Sequence, residues 1–256
     1  MNRLMNQKPC SLSMPKILGI VSRRILVNYS LDAETAQKLI PAIFRPKLVK
    51  GRAVIGICLI RLTHIRPFFV PKGLGVTSEN VAHRIAVEWD VNGSIHEGVY
   101  IFRRDSNSLL KVMMGGRFFP GIHQSARFSV DENEDHFHIS ILSDDKKVEI
   151  EVDGTACHAL PKGSVFESLE EASSFFENGS LGYSPTGTPG EYQGMELQTR
   201  EWNLEPMKIS KVYSSFFSDE ERFPKGSIRF DSALLMRNVE HEWHNRGALC
   251  INDCGV

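Results

Sequence analysis

The segment 53–65 constrains the fold more than any other part of the chain. It reads Ala-Val-Ile-Gly-Ile-Cys-Leu-Ile-Arg-Leu-Thr-His-Ile, rich in the β-branched residues that suit a pleated strand. Ile55, Ile57 and Leu59 alternate with Val54, Cys58, Ile60 and Leu62. Successive side chains of a strand point to opposite faces, so both faces here are largely apolar. Such a strand is expected to be buried on both sides.

Shorter patterns surround it. Residues 24–29 read as a first strand, and 32–40 as a short helix that Asp32 starts and Pro41 stops. Segment 83–90 alternates Ile85, Val87 and Trp89 against Arg84, Ala86 and Glu88, the pattern of a half-exposed strand. Asn92-Gly93 is a hairpin signal, with 94–104 as the return strand. Residues 106–114 read as a helix stopped by Gly115. Segments 122–131, 137–142 and 148–152 alternate again, with turns at 131–135, at 143–147 and at Asp153-Gly154. Residues 168–178 form a clear helix, because Ser168 and Glu171 have capping-box spacing and Gly179 follows the last turn.

Glycine and proline mark 182–194 as a long loop. Strands are expected at 196–202, 207–217 and 228–236, with 237–256 polar and frayed. Neither an internal repeat nor a low-complexity linker interrupts the pattern. It predicts a loose arm over 1–16, one domain over 17–243 and a tail over 244–256. Many strands at short spacing with few helices predict a mainly β protein, α+β by content, built on a curved, mostly antiparallel sheet or barrel.

The chain carries 30 basic and 31 acidic residues, a formal net charge of −1. That argues against nucleic-acid or membrane-surface binding driven by bulk charge. Its apolar runs fall far short of the roughly 20 residues of a spanning helix, and 17–21 is too short for the core of a signal peptide. A cytoplasmic protein is expected. Five scattered cysteines, odd in number, are expected as reduced thiols. There is no P-loop, dinucleotide fingerprint or Gly-x-Ser-x-Gly elbow, and no cofactor is expected. His241, His244, Cys250 and Cys254 lack a common zinc spacing, so no metal site is expected either.

Residues 78–121 carry a specific resemblance. The run Glu79-Asn80-Val81-Ala82-His83-Arg84 is followed by Gly98-Val99-Tyr100 with Arg103-Arg104-Asp105, and then by Gly115-Gly116-Arg117-Phe118-Phe119-Pro120-Gly121. Together they resemble an uncharacterised family of acetoacetate decarboxylase-like proteins, a domain of unknown function. Arg66-Pro67, Gly182-Tyr183-Ser184 and the segment 231–237 extend the similarity over about residues 22–243. The resemblance implies a cone-shaped, mainly antiparallel β-barrel with a few short helices and a ligand cavity. Enzymes of that superfamily use a Schiff-base lysine beside a second lysine. The resemblance places that pair at Gln124 and Ser125, and neither side chain forms an imine.

Arg66, Glu79, Asn80, His83, Arg84, Arg103, Arg104, Arg117 and His123 form the densest polar set, at the ends of apolar strand patterns. Gathered at a barrel mouth, guanidinium groups bind a carboxylate or phosphate through paired hydrogen bonds. Arg84, Arg104 and Arg117, with Asn80 and His83, are therefore the candidate ligand-binding residues. Glu79 and His123 are the candidate acid/base groups. The competing reading pairs these arginines with Asp90, Glu97 and Asp105 at strand ends. Arg103 and Arg104 point to opposite faces, so one of them at most faces inward, and the shared parity of Tyr100, Phe102 and Arg104 leaves open which. The expected partner is a small anionic organic molecule, with neither nucleic acid nor membrane. The alternative is a non-enzymatic barrel that serves as an interaction or sensing module.

Overall fold

A computed structural model describes residues 6–8, 16–108 and 121–250 of the chain. The elements run β1 (Asn6–Lys8), β2 (Ile17–Asp32), α1 (Ala33–Leu39), β3 (Arg45–Pro46), β4 (Leu48–Val49), β5 (Arg52–Pro67), β6 (Val76–Val91) and β7 (Ser94–Ser106). After residue 120 come β8 (His123–Glu132), β9 (His136–Ser143), β10 (Glu149–Ala156), α2 (Leu169–Asn178), β11 (Leu181–Pro185), β12 (Glu191–Thr199), β13 (Glu205–Ser214) and β14 (Ile228–Cys250). The expected helix over 106–114, with Gly115, Lys111, Arg117, Phe118 and Phe119, lies largely outside the described residues; Ser106 itself ends β7.

Nine strands close a ring in the order β6, β7, β8, β9, β10, β13, β14, β2, β5 and back to β6. Strands β11 and β12 make a second path from β7 to β14. Only β7 with β8 and β7 with β11 are parallel among the described pairings. The fold is mainly β with few helices, as expected, and its strands form a ring.

The shared strands carry apolar side chains on both faces. Ile25, Val27, Ile55, Ile57, Leu59, Val81 and Ile85 join one buried cluster with Phe44, Trp89 and Phe217. Leu26, Val54, Cys58, Ile60, Leu62 and Ala86 join the other, beneath Ala172, Phe175 and Phe176 of α2. Each fully buried side chain of this size contributes about 1.5–3 kcal/mol, which is why β5 is apolar from Ala53 to Ile60. The same helix explains a correction: β6 is not half-exposed, because α2 covers Ala86 while Ile85, Val87 and Trp89 fill the other cluster.

The caps behave unequally. Ser168 Oγ accepts the N–H of Glu171 at 3.2 Å, and the Glu171 carboxylate accepts the N–H of Glu167 at 2.6 Å, so α2 starts where the spacing places it. Asp32 occupies the N-cap of α1 but makes no side-chain cap bond; its carboxylate takes Arg52 at 2.6 Å. At the β6–β7 hairpin Asn92 and Gly93 both have positive φ, 51° and 83°, as a tight two-residue turn requires.

Other expectations are corrected. Asp153-Gly154 continues β10, opposite a bulge at Ser210 of β13, rather than making a turn. The segment 182–194 is a hairpin of β11 and β12 rather than a long loop. A Cβ on Gly182 would lie 2.9 Å from Ile101 Cδ1, and one on Gly194 2.7 Å from Tyr183 Cε1, so these glycines serve close packing within strands. Residues 237–250 are not frayed: β14 runs 23 residues to Cys250, pairing with β2 and then β12. Within the expected arm, Asn6–Lys8 pairs with β14. Among the described residues no helix is long and apolar enough to cross a membrane.

Candidate functional site

The site rests on a register shift. Strands β6 and β7 pair with Arg84 opposite Ile101 but His83 opposite Arg103, which leaves Phe102 as an extra residue. Such a bulge reverses the alternation of the strand that carries it. Tyr100 and Phe102 therefore pack into the cluster with Trp89 and Phe44, whereas Arg104 lies on the opposite face with Ile101. The parity that left the inward arginine open is broken at this one residue.

On Arg104's face lies a partly open cavity of about 100 Å³. Its polar wall is Arg24 from β2, Cys58 from β5, Asn80 and Arg84 from β6, Arg104 from β7 and His123 from β8. Ile60, Leu62, Ile101, Phe176, Leu197 and Trp243 make much of the rest. Cys58 stands opposite Ala82 in the ladder, and two small side chains side by side leave room among larger neighbours.

No carboxylate among the described residues pairs with the three arginines. Arg84 is 3% exposed; its Nη2 donates to Asn28 Oδ1 at 2.9 Å and its plane lies 4.8 Å from the Phe176 ring centre. Its Nε and Nη1 are buried with no hydrogen-bond partner. Arg104 donates through Nε and Nη2 to the single hydroxyl of Ser184, at 3.2 and 3.1 Å. Arg24 donates through Nε to Cys58 Sγ at 3.4 Å, lies 5.4 Å from the Trp202 ring centre, and keeps Nη1 buried and unpartnered. Burial pulls Arg84 down to about 10, helped by the neighbouring Arg24, and burial does the same to Arg104. Both remain cations at neutral pH. Asp105 also touches the cavity, but its carboxylate is held by Arg103.

The opposite face holds Glu79 and His83. Arg23 and Arg61 each bind both Glu79 and Glu132, closing a ring of alternating charge in which Arg23 Nη2 lies 2.6 Å from Glu79. Arg103 is forked onto Asp105 and Asp145, with bonds of 2.6–3.0 Å. These contacts hold Asp145 well below the usual carboxylate range and raise Arg103, while burial raises Asp105. His83 is 0% exposed, 4.6 Å from the ring centre of Phe216, and its two ring nitrogens have no hydrogen-bond partner. Burial first, then Arg103 and Arg222, push it down to about 3, so it is neutral.

The structure thus brings Arg84, Arg104, Asn80 and His123 to one cavity and places Glu79 and His83 across the sheet. Arg117 lies outside the described residues. Arg66 stands elsewhere, in a cavity of about 390 Å³ with Lys72, Arg200, Glu240 and His241; there Arg200 is paired with Glu240. Gln124 and Ser125 are in parallel register with Asp105 and Ser106. Sequence reasoning missed Arg24 and Cys58. The adjacent Arg23-Arg24 in the middle of an apolar strand was the available signal, since neighbours on a strand must face opposite ways.

The fold is that of acetoacetate decarboxylase-like proteins. Acetoacetate decarboxylase from Legionella pneumophila matches with a TM-score of 0.58 at 13% identity, covering 94% of this chain and 91% of that one. The enduracididine biosynthesis enzyme MppR complexed with pyruvate matches at 0.55 and 8% identity, covering 97% and 95%. An acetoacetate decarboxylase-like enzyme from Sphingomonas wittichii matches at 0.51 and 12% identity, covering 95% and 96%. Identities this low speak for the fold alone. Within that fold, residues 21–233 match the family of uncharacterised conserved proteins known as domain of unknown function 2071, and the chain belongs to it. No curated protein sequence matches.

Proposed function

We propose that the chain binds a small anionic organic molecule in the cavity walled by Arg24, Arg84 and Arg104. One observation carries the reading: three guanidinium groups converge on about 100 Å³ with no carboxylate partner among the described residues, and buried N–H groups of Arg84 and Arg24 stay unbonded. Burying a cation without a partner is costly, and a bound anion repays the cost through charge-assisted hydrogen bonds. The volume is well below the ~300 Å³ at which drug-sized pockets begin, so the ligand has few heavy atoms. Asn80 and His123 add hydrogen-bonding groups to the same wall, and the apolar remainder suits a short hydrocarbon part. The complex of MppR with pyruvate, itself a small carboxylate, supports this ligand class for the fold.

The chain on this reading does not use imine chemistry, because Gln124 and Ser125 stand where the resemblance puts the lysine pair. His123 is the acid/base group that shares the cavity; Glu79 serves the ion network on the other face. A thermal-shift screen against small carboxylates, phosphates and keto acids tests the proposal. A ligand at 100 times its Kd adds about 2.7 kcal/mol to the folded state and raises Tm; a flat response to every class overturns it. Borohydride with a β-keto acid is expected to leave every lysine unmodified. The alternative, an interaction module, draws on a separate observation: Phe68, Phe69 and Leu74 stand exposed between β5 and β6.

A further inference from the structure

Cys58 is a buried thiol that the anion site does not need for binding, and it lines the same cavity. It is 7% exposed, and its sulfur accepts the Nε–H of Arg24 at 3.4 Å. Two further observations set it apart from a packed core cysteine. Arg84, whose Nε and Nη1 are buried and unpartnered, lines the cavity that Cys58 also lines. Arg104 stands on that wall too, so the sulfur and three guanidinium groups line one cavity, and Asp105, the carboxylate that touches it, is held by Arg103. Cys58 also packs in the apolar cluster beneath α2, but reactive cysteines occupy electropositive settings open to small molecules, and the partly open cavity gives this sulfur both. The charge also exceeds what a carboxylate requires. One guanidinium matches a carboxylate through two parallel bonds, which leaves positive charge for a second oxygen that becomes anionic during reaction.

We propose that Cys58 is a nucleophile that forms a reversible covalent adduct with a short carboxylate bearing a carbonyl group. The arginines hold the carboxylate. The sulfur attacks the carbonyl carbon, an S–C bond forms as the C=O π bond opens, and the thiol proton ends on the former carbonyl oxygen. The product is a hemithioacetal or hemithioketal, and the step consumes no oxidant or reductant. The proposal rests on the anion-binding reading above and names its ligand class.

The test is alkylation of the full chain with iodoacetate and, separately, iodoacetamide, following the peptides of Cys58, Cys157 and Cys250 by mass spectrometry. The two reagents differ in charge, so their rate ratio reports the field at each sulfur. Cys58 is expected to react several-fold faster with iodoacetate, while half-buried Cys157 shows no such preference. Arg24→Gln and Arg84→Met are each expected to collapse the ratio. Glyoxylate, a carboxylate with a carbonyl, should slow alkylation of Cys58 several-fold more than acetate at equal concentration. The idea is overturned if Cys58 stays unlabelled by both reagents while Cys157 reacts, if its ratio matches that of Cys157, or if acetate protects as well as glyoxylate. A Cys58→Ser variant separates this from the reading beneath it. A Tm rise with acetate in that variant keeps the anion site even where the thiol fails, whereas no rise in either protein removes both.

Discussion

Two arginine clusters sit back to back on the same strands, and they are built from adjacent residues. Arg23, His83 and Arg103 face one way, and Arg24, Arg84 and Arg104 face the other. On the first face each guanidinium has carboxylates: Arg23 and Arg61 share Glu79 and Glu132, and Arg103 takes Asp105 and Asp145. On the second face the partners are an amide oxygen, a hydroxyl and a sulfur. The Arg23–Glu79–Arg61–Glu132 ring completes its own charge balance and ties together β2, β5, β6 and β8. The second, among the described residues, has no carboxylate partner for its positive charge at a cavity. On the proposed reading, the difference separates arginines that hold the fold from arginines that receive an anion from outside.

The contrast is broken or sharpened by substitution. Glu79→Gln removes charge from the neutral four-residue ring and leaves Arg23 and Arg61 under-compensated. It is expected to cost about 3–5 kcal/mol in urea denaturation, with little change in anion affinity. Equal stability of the variant would show that the first cluster does not hold the fold.

The pH dependence of stability gives the next largest effect. The native pKa of His83 lies near 3, below its ordinary 6.5, so between those values the unfolded chain binds more protons than the folded one. Stability therefore rises with pH across that window and levels off above it. The sign is that of a buried neutral histidine: acid destabilises. His83→Phe is expected to flatten the slope between pH 3 and 6.5 by a few kcal/mol in total, since Phe216 still offers a ring to pack on. An unchanged slope would move the effect to other groups.

The second face predicts the opposite sign for stability. Arg84→Met replaces an uncompensated buried cation with an apolar chain of similar length, and is expected to raise stability by about 1–4 kcal/mol while removing anion binding. Arg24→Gln is the mildest change: Arg24 is only half-buried, and an affinity loss of about 1 kcal/mol or less is expected by titration.

Much of this architecture is legible in the residues. Segment 53–65 announces a strand buried on both faces, the Ser168–Glu171 spacing starts α2, and Asn92-Gly93 turns the central hairpin. What was not legible has one common cause: sheet register. The extra residue at Phe102 decides which of Arg103 and Arg104 meets the cavity, and nothing local in the chain marks it. Gly182 and Gly194 resemble loop glycines because close approach between strands and tight turns both select for a missing side chain. Glu79 and His83 were grouped with Arg84 by nearness in sequence, although a strand sends neighbours to opposite faces. Cys58 reads as core because its strand is core; the role proposed for it depends on Arg24, Arg84 and Arg104 lining the same cavity.

The central claim is that the arginines of the second face await an anion. Titration calorimetry with a small carboxylate, run on the wild-type chain and on Arg84→Met in parallel, tests it most directly. The account predicts saturable binding that weakens with added salt in the wild type, and no measurable heat of binding in Arg84→Met despite its equal or greater Tm. Binding of the same strength in both proteins, or in neither, would contradict it.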